Sequence, residues 1–156
     1  MNLNWRMLLN KQEPDIHMKD VEILLRGFGL LLDSSNYRPS MTRFLNQFSK
    51  NSRNFKEDSL SFFEKIFEKF CEQTYIMNPN IFVAKTGKFS ITIFESIFVT
   101  LCEDSAKNEN LDIKLTTIDK VEKMKLDEEF LKTTQSDTVS KINIENRLRI
   151  AKEILL

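Results

Sequence analysis

The sequence predicts an all-α fold: one domain over residues 1–156, an irregular bundle of about six or seven helices around a buried central helix. Two observations carry this expectation. Thirteen Phe stand against three Gly and three Pro, a balance that favours long elements with little punctuation. Apolar residues also recur at three-and-four spacing through most of the chain. At 156 residues the chain can build a sizeable core, since a chain of this size buries about 68–70% of its unfolded surface.

Taken in order, NLNWRMLLN reads as a short helix with Trp5, Leu8 and Leu9 on one side. KQEPDI breaks it at Pro14, and Asp15 is the candidate cap for the next helix. The spine is expected over Met18 to Leu32, where Val21, Leu24, Leu25, Phe28, Leu31 and Leu32 form a broad apolar face. Asp20, Glu22 and Arg26 interrupt it, and Glu22 and Arg26 have the four-residue spacing of a favourable helical ion pair. Asp33 to Asn36 reads as a turn. Ser40 then caps a helix carrying Met41, Phe44, Leu45 and Phe48. Asn54 and Glu57 have capping-box spacing before a long helix with Leu60, Phe63, Phe67 and Phe70, running to about Tyr75.

Asn78-Pro79-Asn80 ends that helix. Ile81 to Val83 suggests a short extended piece, and Thr86-Gly87-Lys88 a turn. Ser90 caps a helix with Ile91, Phe94, Ile97, Phe98 and Leu101. EDSAKNENLD is the most loop-like stretch. Leu111, Ile113 and Leu115 alternate as a strand would. Thr116 and Asp119 fit a capping box, and Val121, Met124 and Leu131 line one charged helix. After Ser136-Asp137-Thr138 comes the last helix, with a stripe of Ile144, Leu148, Ala151 and Leu155 flanked by Arg147, Arg149 and Lys152.

Charge and composition narrow the function classes. Lys plus Arg total 23 and Asp plus Glu total 23, so no global charge favours nucleic acid or a membrane surface. There is no signal-peptide pattern and no apolar run of membrane-spanning length, which makes the cytoplasm the expected compartment. One histidine, His17, excludes a metal site built from two or more His; no metal or other cofactor is expected. Cys71 and Cys102 lie in apolar helical patterns, as small buried hydrophobes do. A nucleophilic role for either would need a base nearby. Thr86-Gly87-Lys88 lacks both the upstream glycine and the subsequent Ser/Thr of a phosphate loop, and reads as a turn.

The order of landmarks is more specific than any one of them. Asn4-Trp5-Arg6 is followed by Met18-Lys19-Asp20-Val21-Glu22-Ile23-Leu24-Leu25-Arg26, Tyr37, Met41 and Phe44-Leu45-Asn46-Gln47-Phe48. Gly87-Lys88-Phe89, Phe94-Glu95-Ser96, Thr138 and Asn146-Arg147 complete the series. In this the chain resembles the C-terminal helical region of the GmrSD-type family. These are bacterial proteins whose N-terminal part is a ParB/sulfiredoxin-like nuclease or nucleotide-binding domain, several of them cutting modified phage DNA. The catalytic signatures of that family, Asp-Gly-Gln-Gln-Arg and an upstream Gln-Arg pair, do not occur here, and a His-Asn-His motif cannot be built from His17 alone. His17 stands where relatives more often have Arg, and Gly29 where Ala is usual.

The resemblance implies a divergent copy or the helical half of a larger protein: a non-catalytic scaffold holding the N-terminal nuclease/NTPase domain or a dimer partner. It implies an exposed apolar docking surface, expected around Trp5, Leu8 and one side of the spine helix. Asp20, Glu22 and Arg26 are then a structural ion network that fixes helix register, or a charge cluster shown to the missing domain. A DNA-binding module is the first alternative, with phosphate contacts from Arg38, Arg43, Lys50 and Arg53, Lys56 beside them, and a second basic set in 147–152. The second alternative is a small enzyme whose charged pocket is lined by His17, Asp20, Glu22 and Arg26. Asp20 and Glu22, two apart, do not share a helix face, which argues against an acid–base pair.

Overall fold

The structure is a computed structural model and describes residues 2–156. It is all-helical. The eight α-helices among the described residues are α1 (Leu3–Leu8), α2 (Lys19–Asp33), α3 (Met41–Ser52), α4 (Glu57–Met77), α5 (Ile91–Asn108), α6 (Ile118–Leu126), α7 (Glu128–Gln135) and α8 (Lys141–Leu155). A 3-10 turn, Ser34–Asn36, succeeds α2. Among the described residues β-structure is limited to one antiparallel bridge between Val83 and Phe89, closed by a turn in which Gly87 takes φ +75°.

The central helix is α5 rather than the expected Met18 to Leu32 segment. Twelve of the eighteen residues of α5 are buried, against four of fifteen in α2. Its sequence explains this. Phe94 to Cys102 is apolar or small on every side except at Glu95, and a helix that is apolar all round belongs inside. α2 has a clear polar side, with Lys19 and Glu22 exposed, and packs as a flank across α5 and α3. Two glycines let it approach. A methyl group at Gly27 would meet the Phe94 and Phe98 rings at 3.0 Å, and one at Gly29 would meet the Phe44 ring at 2.9 Å.

Aromatic rings fill the space around α5. Phe98 sits at its middle, 4.9 Å from Phe70, 5.1 Å from Phe28 and 5.8 Å from Phe67 between ring centroids. Trp5 of α1 packs against Phe67, Phe94 and Phe89. A smaller cluster, built on Leu30, Tyr37, Phe44 and Ile144, joins α2 and α3 to α8.

Several boundaries depart from the sequence reading for local reasons. Asp15 caps no helix; its carboxylate accepts the backbone N–H of His17 at 2.9 Å, and Met18 enters α2 in the left-handed region at φ 56°. The Asn54 capping box does not form, because α4 begins at Glu57 with Lys56 as its flanking residue. The expected loop over 103–112 is helical to Asn108: Ser105 is buried and Glu103 pairs with Lys107 one turn on. The expected strand at 111–115 is an extended connection with Ile113 buried and Lys114 N–H donating to the Leu101 carbonyl at 2.8 Å. Thr117, not Thr116, caps α6. The single charged helix expected around Val121 and Leu131 is two. Asp127 takes extended backbone, ends α6, and caps α7 by accepting from Phe130 N–H at 2.9 Å.

Candidate functional site

Two features stand out once the fold is in place: a buried polar frame and an open apolar groove. The frame centres on Glu95, the one carboxylate on the inner turns of α5. Its side chain is fully buried, and each carboxylate oxygen takes one guanidinium: Arg26 Nε from α2 at 2.6 Å and Arg147 Nη2 from α8 at 2.6 Å. Arg147 also donates Nη1 to the Thr138 carbonyl at 2.6 Å, while its Nε is buried without a partner. Tyr37 donates its hydroxyl to the Val139 carbonyl beside this cluster, and burial pushes its phenol up. The frame ties α2, α5 and α8 together with two cations on one anion.

A second buried contact joins α1 to α2, where the Arg6 guanidinium donates to Asp20. The expected network of Asp20, Glu22 and Arg26 is therefore not one network. Asp20 belongs to Arg6, Arg26 belongs to Glu95, and Glu22 is exposed without an ion pair among the described residues. The helical Glu22–Arg26 pair does not form because a buried carboxylate outcompetes a solvated one for a guanidinium directed inward. Sequence reasoning missed Glu95 and Arg6. A lone acid inside the apolar stretch Phe94 to Cys102 was the available signal for the first, since such a group has to find a cation.

The Arg6 guanidinium holds the Asp20 carboxyl below its usual range, against the opposing effect of burial. Asp15, bonded by Lys11, is also held low, at about 2. A carboxylate depressed in the folded state contributes stability above its unfolded pKa, about 3.9 for Asp. It loses that contribution as pH falls through the folded value. Melting temperatures of the protein and of Asp20→Asn are thus expected to differ most above about pH 4 and to converge in stronger acid. A gap that stays constant through the acid range would mean that Asp20 is not ionised in the fold.

The groove lies where α2, α3 and the first half of α4 meet. Leu24, Leu25 and Phe28 form its floor with Phe67, and Phe48, Phe55 and Phe63 its far wall. Its cavity is about 320 Å³. Its only polar lining residues are Ser52 and Glu64, and Val21 and Leu60 stand at the rim, 46% and 50% exposed. One side of α2 is thus an apolar surface. Trp5 and Leu8 are not part of it. Both are core residues, 3% and 1% exposed, because the short α1 folds its apolar side onto α4.

The other candidate residues are scattered. Arg38 donates to the Ser35 and Tyr37 carbonyls. Arg43, Lys50 and Arg53 are exposed on and just beyond α3 without ion pairs among the described residues. The second basic set does not join them, since Arg147 is inside, Arg149 pairs with Glu129 and Glu153, and Lys152 pairs with Glu103. The pocket of His17, Asp20, Glu22 and Arg26 does not exist either: two are exposed and two are consumed in separate buried pairs. Burial pushes both cysteine thiols up, which disfavours the thiolate form. Among the described residues no metal-binding cluster occurs, and no helix is long and apolar enough to cross a membrane.

Comparison with protein-family models, curated proteins and solved structures finds no match. Arg6, Asp20, Arg26, Tyr37, Glu95 and Arg147 build the buried polar contacts, and Trp5, Phe44, Phe48 and Phe94 pack the core.

Proposed function

We propose that this chain is a non-catalytic helical scaffold and interaction module, of the kind found C-terminally in GmrSD-type restriction proteins that act against phage. The observation that carries the reading is the apolar groove between α2, α3 and α4. A concave apolar surface with polar groups only at its margin suits the apolar side chains of another protein. Several of the residues on which the resemblance rests, among them Arg6, Asp20, Arg26, Glu95 and Arg147, make buried contacts rather than lining a reactive pocket, which suits a module without chemistry of its own. The occupant is the N-terminal ParB/sulfiredoxin-like domain of such a protein.

Val21→Glu and Leu60→Glu test this, because both side chains are half out of the protein already and a charge there leaves the core alone. Sedimentation of the chain with such a domain from the same genome should give a complex, weakened about tenfold or more by either variant. Melting temperatures should be unchanged. Absence of a complex, or variants that bind as tightly as the original, would overturn the reading. If instead the sample binds DNA at low salt and loses this on Arg43→Ala with Arg53→Ala, the exposed cations of α3 define the module and the docking role falls.

A further inference from the structure

On another face of the molecule a second cavity, about 490 Å³, lies between the turn that precedes α5 and the helix α7. Its volume is in the range of sites for small organic molecules, about 300–1,000 Å³. Its lining combines lysines and hydroxyl side chains with apolar ones. Lys85 and Lys88 project from the turn, Lys125 closes the side from α6, and no Asp or Glu lines the cavity. Lys85 and Lys88 form no ion pair among the described residues. Lys125 is buried and is held by Glu122 at 2.9 Å, a carboxylate that is half exposed. Three lysines against that one carboxylate leave a surplus of positive charge among the residues around the cavity.

The lysines sit on a fixed support. Ala84 N–H donates to the Lys88 carbonyl at 2.9 Å, Gly87 N–H to the Ala84 carbonyl at 2.9 Å, and Ser90 N–H to the Phe82 carbonyl at 2.8 Å. Phe89, on the same turn, is braced edge-on by Trp5 at 6.1 Å and meets the Phe94 ring at 6.2 Å. It lines the cavity together with Leu131. A site built this way holds an anion with the lysines and a ring against Phe89 without having to order a loop first. Three cations suit a doubly charged phosphate monoester better than a singly charged carboxylate.

We propose that this cavity binds a small aromatic phosphate monoester, with the phosphate at Lys85, Lys88 and Lys125 and the ring against Phe89. The test is a titration of the full chain with phenyl phosphate at low salt, monitored by amide chemical shifts or calorimetry. Saturable binding is expected, with shifts confined to residues around 84–93 and 125–135. Lys85→Gln and Lys88→Gln should each weaken it about tenfold, the loss expected for a charged hydrogen bond. Both positions are exposed, so circular dichroism melts should be unchanged. Inorganic phosphate and phenol should each bind more weakly than phenyl phosphate. No saturation, affinity untouched by the paired lysine variant, or equal binding of phenol or inorganic phosphate would overturn the assignment. The apolar groove plays no part in this outcome, so the docking role is tested separately.

Discussion

Replacing Glu95 with Gln is expected to lower the unfolding free energy by about 3–5 kcal/mol, the loss found when one member of a buried ion pair is removed. The substitution keeps the volume and removes the charge. Arg26 and Arg147 would then face a neutral amide, one of whose two ends is a donor like themselves. Two guanidinium groups would stay inside without a counter-ion, and Arg147 already has one N–H without a partner. For a chain of this size each kcal/mol is worth about 2–4 °C in Tm, so the melting point should fall by roughly 6–20 °C. Urea unfolding should move to a lower midpoint with its slope unchanged, because the surface exposed on unfolding is the same. Replacing Arg26, Glu95 and Arg147 together with Met, Leu and Met should restore most of the loss, since an apolar trio does not have to be desolvated as charges do. A loss below about 1 kcal/mol in Glu95→Gln would place Glu95 among the solvent-exposed pairs and remove the case for a buried frame.

Phe98→Ala is expected to cost about as much, 3–5 kcal/mol, by a different route. The Phe98 ring is fully buried and is the meeting point of α2, α4 and α5, in edge contact with Phe28, Phe67 and Phe70 and stacked on Phe94 at 5.6 Å. Truncation removes the transfer free energy of the ring and leaves a cavity. The neighbours are rings that cannot bend into it, and Gly27 across the interface has no side chain to fill it. Ile16→Ala is the matched control: Ile16 is 94% exposed and its truncation should fall within about 0.5 kcal/mol of zero. Chemical denaturation of both variants checks the pair. If Phe98→Ala loses no more than the control, the aromatic cluster is not packed around this residue.

The helices were legible where one face was apolar and a cap preceded it. Ser40 and Ser90 each start a helix, with the hydroxyl accepting the N–H three residues on. The all-helical class came from the same periodicity. The identity of the central helix did not, because α2 has a well-defined apolar face while the true centre has no polar side to define one. The site was legible in part. One side of the Met18 to Leu32 segment is an apolar surface, but Trp5 is indistinguishable in sequence as a core or a docking residue, since both uses ask for a large apolar group next to a helix. The partners of Asp20 and Arg26 were not legible at all: they lie 14 and 69 residues away, and no local spacing rule reaches that far.

The separation of the contacts around Glu95 has a consequence for how the protein is made. A chain emerges from the ribosome N-terminal end first, at about 5–20 residues per second. Arg26 is available long before Glu95, but Arg147 emerges 52 residues after Glu95, an interval of several seconds at that pace. Tyr37 waits longer still, because its carbonyl partner is 102 residues downstream. Through that interval the nascent chain holds α5 with one face uncovered and a carboxylate half satisfied. The last helix is therefore the part that closes the domain, and a chain interrupted before α8 would leave the ribosome with its central helix open to whatever chaperone or protease reaches it first.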